Sequence, residues 1–151
     1  MSNSLLHLAH SSTEISIDDA AALYNDLTPV APEFVLGDWK GTILRTGHPD
    51  VEKLKAMGWA GKRFNSINDV NPVVIQSSDG VRTCITDWGH ARVREVRFRG
   101  VVSAAMIYDQ LPIIDHFRLL NENAVAGVMD NKDDKNNFGL YFILERVCQR
   151  S

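Results

Sequence analysis

The 151-residue chain is poor in cysteine, with only Cys84 and Cys148. Neither has the neighbours of a metal site or a CxxC redox pair, so both read as free thiols rather than a bridge. No apolar run is long enough to span a membrane as a helix. The opening residues, Met1-Ser-Asn-Ser-Leu-Leu-His-Leu8, lack the basic start and sustained apolar stretch of a signal peptide, and a cytoplasmic location is the expectation. There is no glycine-rich strand–helix fingerprint, phosphate loop or serine-centred elbow, which removes the readily identified nucleotide-binding and hydrolase classes. The alternation that builds parallel α/β sheets is missing too. Positive charge is in short supply: 16 Lys and Arg against 19 Asp and Glu give a net charge of -3. That balance offers no long-range attraction to nucleic acid or an anionic membrane.

What is present suits one globular domain, with 44% hydrophobic and 23% charged residues. Residues 1–15 are expected to form a flexible amino-terminal arm and residues 16–151 a single β-barrel domain. Ser16, three residues before Asp19, can cap a short helix from Ile17 to Leu27, which would most simply close one end of a barrel. Pro49 and Asp50 start a second short helix that closes at Met57-Gly58. Between them, Glu33 to Thr46 reads as the opening strand. Its odd positions place Val35, Gly37, Trp39, Gly41 and Ile43 on one face. From Trp59 onward, short alternating segments separated by turn residues succeed one another to Val147, with an exposed polar loop at 130–137. About eight or more antiparallel strands in meander order favour a closed barrel, which hides the sheet edges.

Gly37-Asp-Trp39-Lys-Gly41 is a GxWxG motif near the start of this all-β pattern. It resembles the opening of the calycin-like barrels: lipocalins, fatty-acid-binding proteins and nitrobindins. Further pieces are Gly58-Trp-Ala-Gly-Lys-Arg-Phe64, Pro112-Ile-Ile-Asp115-His116-Phe117, Met129-Asp130-Asn-Lys132 and Phe142-Ile-Leu-Glu145-Arg146. With these, the chain from residue 34 is similar to the GXWXG proteins that carry a DUF4334 carboxyl half. The resemblance implies a fold and transfers no reaction. It gives Gly37, Trp39, Gly41, Gly58, Trp59 and Gly61 structural roles, with Trp39 closing the barrel base.

Candidate chemistry lies in scattered polar positions. Asp115 and His116 are neighbours on a strand, so their side chains point to opposite faces. Either is a candidate base for proton transfer, with Tyr108 or an arginine to stabilise a developing oxyanion. Arg45, Arg63, Tyr108 and His116 are candidate anchors for a ligand's polar end, since an arginine fork can hold two oxygens. Arg92, Arg94, Arg97 and Arg99, with Lys62 and Arg63, make the most basic region. Alternation splits the strand arginines between two faces, and no nucleic-acid partner is expected. Asp87 and His90, three apart at a turn, lack a third metal ligand, so no metal is expected. Cys84 has no adjacent base that would mark it as a nucleophile.

The leading reading is a binding protein for a small hydrophobic or amphipathic molecule held in a barrel cavity and anchored by Arg, Tyr or His. The alternative is an isomerase or other proton-transfer enzyme acting on an apolar metabolite. Two further readings are a heme-binding barrel, prompted by the nitrobindin likeness with His116 as the first ligand candidate, and a structural or homodimeric interaction module. No other cofactor is expected.

Overall fold

The computed structural model describes residues 4–135 and 139–147. Cys148 lies outside the described residues. Two helices, α1 (Ser4–Ser11) and α2 (Ile17–Asn25), precede the first strand, β1 (Gly37–Ile43). Helix α3 (Asp50–Met57) leads to β2 (Trp59–Ser66), β3 (Asp69–Gln76) and the short β4 (Arg82–Cys84). The remaining strands are β5 (Ala91–Phe98), β6 (Val101–Tyr108), β7 (Ile113–Asn121), β8 (Ala124–Asn131) and β9 (Leu140–Arg146). All pairings between strands are antiparallel. Eight strands close a barrel, with β9 returning to β1 and β3 meeting both β2 and β5, while β4 attaches to β3 alone. The β3–β5 contact is narrow, a single registered pair, Val70 with Ala91.

The opening strand is shorter than its alternation suggests. Pro32 starts a 3-10 turn over Pro32–Val35, and β1 begins only at Gly37. The turn serves the barrel base: the fully buried Trp39 donates its indole N–H to the Val35 carbonyl at 2.8 Å. Arg146 lies over the indole at 4.4 Å and donates to the Phe34 and Leu36 carbonyls. A buried indole needs a partner for its N–H, and the turn supplies one. The second glycine–aromatic unit interlocks with the first. A Cβ at Gly41 would overlap the Trp59 indole, and one at Gly61 would overlap the Trp39 carbonyl oxygen. Gly61 also has φ +150°, which L side chains rarely adopt. Gly58 ends α3 as its C-cap, as the Met57-Gly58 pattern predicts.

Two helices differ in position from the sequence expectation. In place of a free arm, residues 4–11 form α1, with Leu5 fully buried and Ala9 nearly so. Helix α2 lies against the wall rather than across an end. The cause is β8 and β9, whose outward residues Ala126, Val128, Tyr141 and Ile143 are apolar and form a second cluster with Leu5, Ala20 and Tyr24. Apolar surface on the outside of a wall must be covered, and the helices cover it. Arg118 fixes α2 there. Its buried guanidinium donates to the Asn25 carbonyl at 3.0 Å and to Phe98 at 3.3 Å, satisfying the helix's carboxyl end. Segment 28–36 fills the mouth near Leu119, and α3 with Trp88 covers the opposite mouth. Among the described residues, no helix is long and apolar enough to cross a membrane.

Candidate functional site

Inside and outside follow from register. Met106, Asp115, Met129 and Leu140 stand opposite one another across β6–β9, and three of them belong to the inner apolar core. Ala105, His116, Val128 and Tyr141 form the next row, with Val128 and Tyr141 in the outer cluster. Asp115 therefore points into the barrel and His116 out of it.

A carboxylate inside an apolar barrel needs a partner, and the partner is Lys62. Its Nζ lies 2.9 Å from Asp115 Oδ2 and donates to the Pro72 carbonyl at 3.1 Å. The Tyr108 hydroxyl is 3.5 Å away. The lysine and aspartate side chains are 3% and 1% exposed, so this is a fully buried ion pair. The rings of Trp59, Tyr108 and Phe142 surround the same ammonium at 5.6, 5.6 and 5.4 Å. Cation–π attraction replaces part of its lost hydration. Asp115 Oδ1, also buried, has no hydrogen-bond partner.

Burial pushes the Asp115 carboxyl above the usual carboxylate range, and the Lys62 charge opposes that shift without cancelling it. Burial, and then the Asp115 charge, holds the Tyr108 phenol well above its ordinary value, so it stays a protonated donor at neutral pH. These groups border a cavity of about 20 Å³, whose far side is Leu54, Trp88 and Met129. That is room for about one water molecule. Leu54, Trp88 and Met129 also border an outer groove of about 520 Å³, with Met57, Leu111 and Ile113 along it. One layer of side chains thus separates the groove from the buried ion pair.

The other sequence candidates lie elsewhere. Arg45 is exposed, donating to the Ser12 carbonyl and the Glu14 carboxylate. Arg63 faces the Asp38 carboxylate at 3.5 Å and the Cys84 sulfur at 3.4 Å. Arg92, Arg94, Arg97 and Arg99 are exposed; Arg99 covers the Phe98 ring at 4.8 Å. Asp87 and His90 are exposed, and among the described residues no three His, Cys, Asp or Glu stand where they would hold a metal. His116 stacks on Phe98 at 3.8 Å with its Nε2 3.3 Å from Asp130. It is across the wall from a cavity that admits about one water, so neither the histidine nor the space fits a heme. Of the sequence candidates, the fold brings together Tyr108 and Asp115. It adds Lys62, which in the sequence belongs to the basic region with Arg63 and the strand arginines. Lys62 does share strand parity with Phe64, an apolar neighbour two residues on. That was the available signal.

The outward histidine makes stability depend on pH. Burial lowers the His116 pKa below 6.5, against the upward pull of Asp130 and Asp115; nearby Arg99 adds to the lowering. The unfolded chain then binds the proton more readily, so the His116 contribution is complete above the unfolded value and is lost as pH falls through the folded one. The urea midpoint of the wild type is expected to fall more steeply than that of His116→Gln between about pH 8 and about pH 5. Parallel curves would exclude the histidine as the source.

Comparison with known proteins fits this arrangement. The GXWXG protein family model matches residues 22–80, and the model for the domain of unknown function DUF4334 matches residues 89–146. The chain is similar to a protein from Thermomonospora curvata of known crystal structure. The two are 42% identical, with 95% of this chain and 96% of that one covered and a TM-score of 0.88. No curated protein matches. The first family model ends in the β3–β4 turn and the second begins just before β5, so the two halves meet beside the narrow β3–β5 contact and complete one barrel. The chain belongs to the GXWXG family with a DUF4334 carboxyl half.

Proposed function

We propose that the protein binds a small amphipathic molecule at the mouth covered by α3. Its polar end meets Lys62, Asp115 and Tyr108, and its apolar part lies against Trp88 and the groove outside. The observation that carries this is Asp115 Oδ1, a buried carboxylate oxygen without a partner at a cavity wall. Buried polar atoms are nearly always satisfied, and an exception calls for a bound group or water. The cavity is too small for a lipid chain, so a ligand's tail belongs in the groove, and its head enters as Trp88 or Leu54 turns aside. Arg45, Arg63 and His116 are engaged elsewhere, and the anchoring role falls to Tyr108 with its two charged neighbours.

Thermal-shift and calorimetric titration with short aromatic and aliphatic alcohols, amides and carboxylates tests the proposal. At least one probe is expected to raise the melting temperature. Tyr108→Phe should weaken its binding about tenfold, the worth of one buried hydrogen bond. Absence of any stabilising probe, or equal binding by Tyr108→Phe, would sink this reading.

A second reading is favoured by the Asp115 environment. A carboxyl raised by burial, beside a protonated phenol, is suited to taking a proton from carbon while Tyr108 donates to the developing oxyanion. Proton–deuterium exchange into a stabilising ketone, lost in Asp115→Asn, would distinguish this from binding alone.

A further inference from the structure

We infer that Lys62 forms a protonated imine with a small aldehyde whose apolar tail lies in the outer groove; this rests on the binding reading above and names its ligand class. Three features of the site carry it. The chain has six lysines, and five of them (Lys40, Lys53, Lys55, Lys132 and Lys135) are exposed. Lys62 alone is buried among aromatic rings, with a carboxyl group 2.9 Å and a phenol 3.5 Å from its nitrogen. Reaction of an amine with a carbonyl needs that set: a nucleophilic nitrogen, a nearby group that accepts and returns a proton, and a donor for the carbonyl oxygen.

The step balances within the site. The ammonium of Lys62 gives one proton to Asp115, and the freed nitrogen lone pair attacks the carbonyl carbon while Tyr108 donates a hydrogen bond to the oxygen. The addition forms a C–N bond and, after proton transfer from nitrogen to oxygen, a carbinolamine. Asp115 returns its proton to the hydroxyl, the C–O bond breaks, and water leaves. The product is a C=N–H cation, so one positive charge is present before and after. It stays beside the Asp115 carboxylate and within the cage of Trp59, Tyr108 and Phe142. The rings and the carboxylate that stabilise the ammonium serve the imine cation equally. The cavity of about 20 Å³ accommodates the released water.

The groove selects for aldehydes over larger ketones and for planar or branched apolar tails. Only the aldehyde group, its carbon and oxygen, has to pass between Leu54, Trp88 and Met129, and the rest packs along Met57, Leu111 and Ile113. A carboxylate or phosphate near the carbonyl is disfavoured, because Asp115 already neutralises the one buried cation.

The test uses the full-length protein with 2-naphthaldehyde and sodium cyanoborohydride, followed by peptide mass mapping; 2-naphthalenemethanol, which cannot form an imine, reports binding by thermal shift. At limiting aldehyde, reduction is expected to fix the naphthylmethyl group on Lys62 ahead of the five exposed lysines. Asp115→Asn should lower labelling at Lys62 about a hundredfold and leave the exposed lysines unchanged. Should that variant fail to fold, Lys62→Arg keeps the pair's charge and is expected to remove the preferred label. Labelling confined to exposed lysines overturns the inference. If the alcohol still stabilises the protein in that case, the binding site stands and only the covalent step is lost; if it does not, both fall.

Discussion

Lys62→Met is expected to lower the free energy of unfolding by about 3–5 kcal/mol, and Lys62→Met/Asp115→Leu to recover most of that loss. The single change leaves the Asp115 carboxylate in an apolar interior with neither counter-charge nor solvent. The double change removes both charges and fills the site with apolar atoms of similar volume. A buried ion pair gains little over such a replacement, because desolvation of two ions offsets their attraction. Urea unfolding at neutral pH measures both variants. The pH dependence supplies a check of opposite sign to that of His116. A carboxyl whose folded pKa lies above its unfolded value binds its proton more readily in the fold, so its charge costs stability as pH rises. Lys62→Met, without the opposing ammonium, should regain stability on acidification. If the double variant is as stable as the wild type yet binds no probe, the pair is present for function. If it stays as unstable as the single variant, the pair holds the barrel together and the binding proposal loses its main support.

Trp39→Ala is expected to cost about 3–5 kcal/mol. The substitution empties a fully buried site, leaves the Val35 carbonyl without its donor and removes the ring under Arg146. Trp39→Phe separates these effects. It keeps an aromatic ring beneath the guanidinium and loses the N–H, so a loss of about 1–2 kcal/mol is expected from the hydrogen bond and the smaller volume. Chemical denaturation of both variants gives the comparison. Near wild-type stability for Trp39→Ala would mean that segment 28–36 and Arg146 close the base unaided.

The alternation of Trp39 with Gly37 and Gly41, the meander of turns and the glycine end of α3 are local signals, and the sequence carried them directly. Features set by distant partners were harder to read. The burial of helix α1 depends on apolar residues of β8 and β9 facing outward, which inverts the usual polar exterior. The 3-10 turn at Pro32 exists to meet an indole on the following strand. Asp115 stood out as one carboxylate among Ile113, Phe117 and Leu119, but alternation does not say which face is inside. Lys62 was hidden differently: β2 carries register shifts on both sides of Gly61, the second of them spanning Lys62, so strict alternation does not hold along it. A lysine beside an arginine also reads as surface charge until the opposing strand places a carboxylate before it.

The narrow contact between β3 and β5 bears on how the barrel admits anything at all. Seven of its eight seams are laced by runs of paired residues, and the eighth has one registered pair, Val70 with Ala91, with a single further backbone bond beyond it, from the Val93 N–H to the Ile67 carbonyl at 2.7 Å. Trp88 lies on the β4–β5 connection just ahead of that tie. Mechanically the molecule is a rolled sheet with a loose hem rather than a hoop. Parting the hem would break few backbone bonds, and the side chain over the mouth sits on the connection that leads into it.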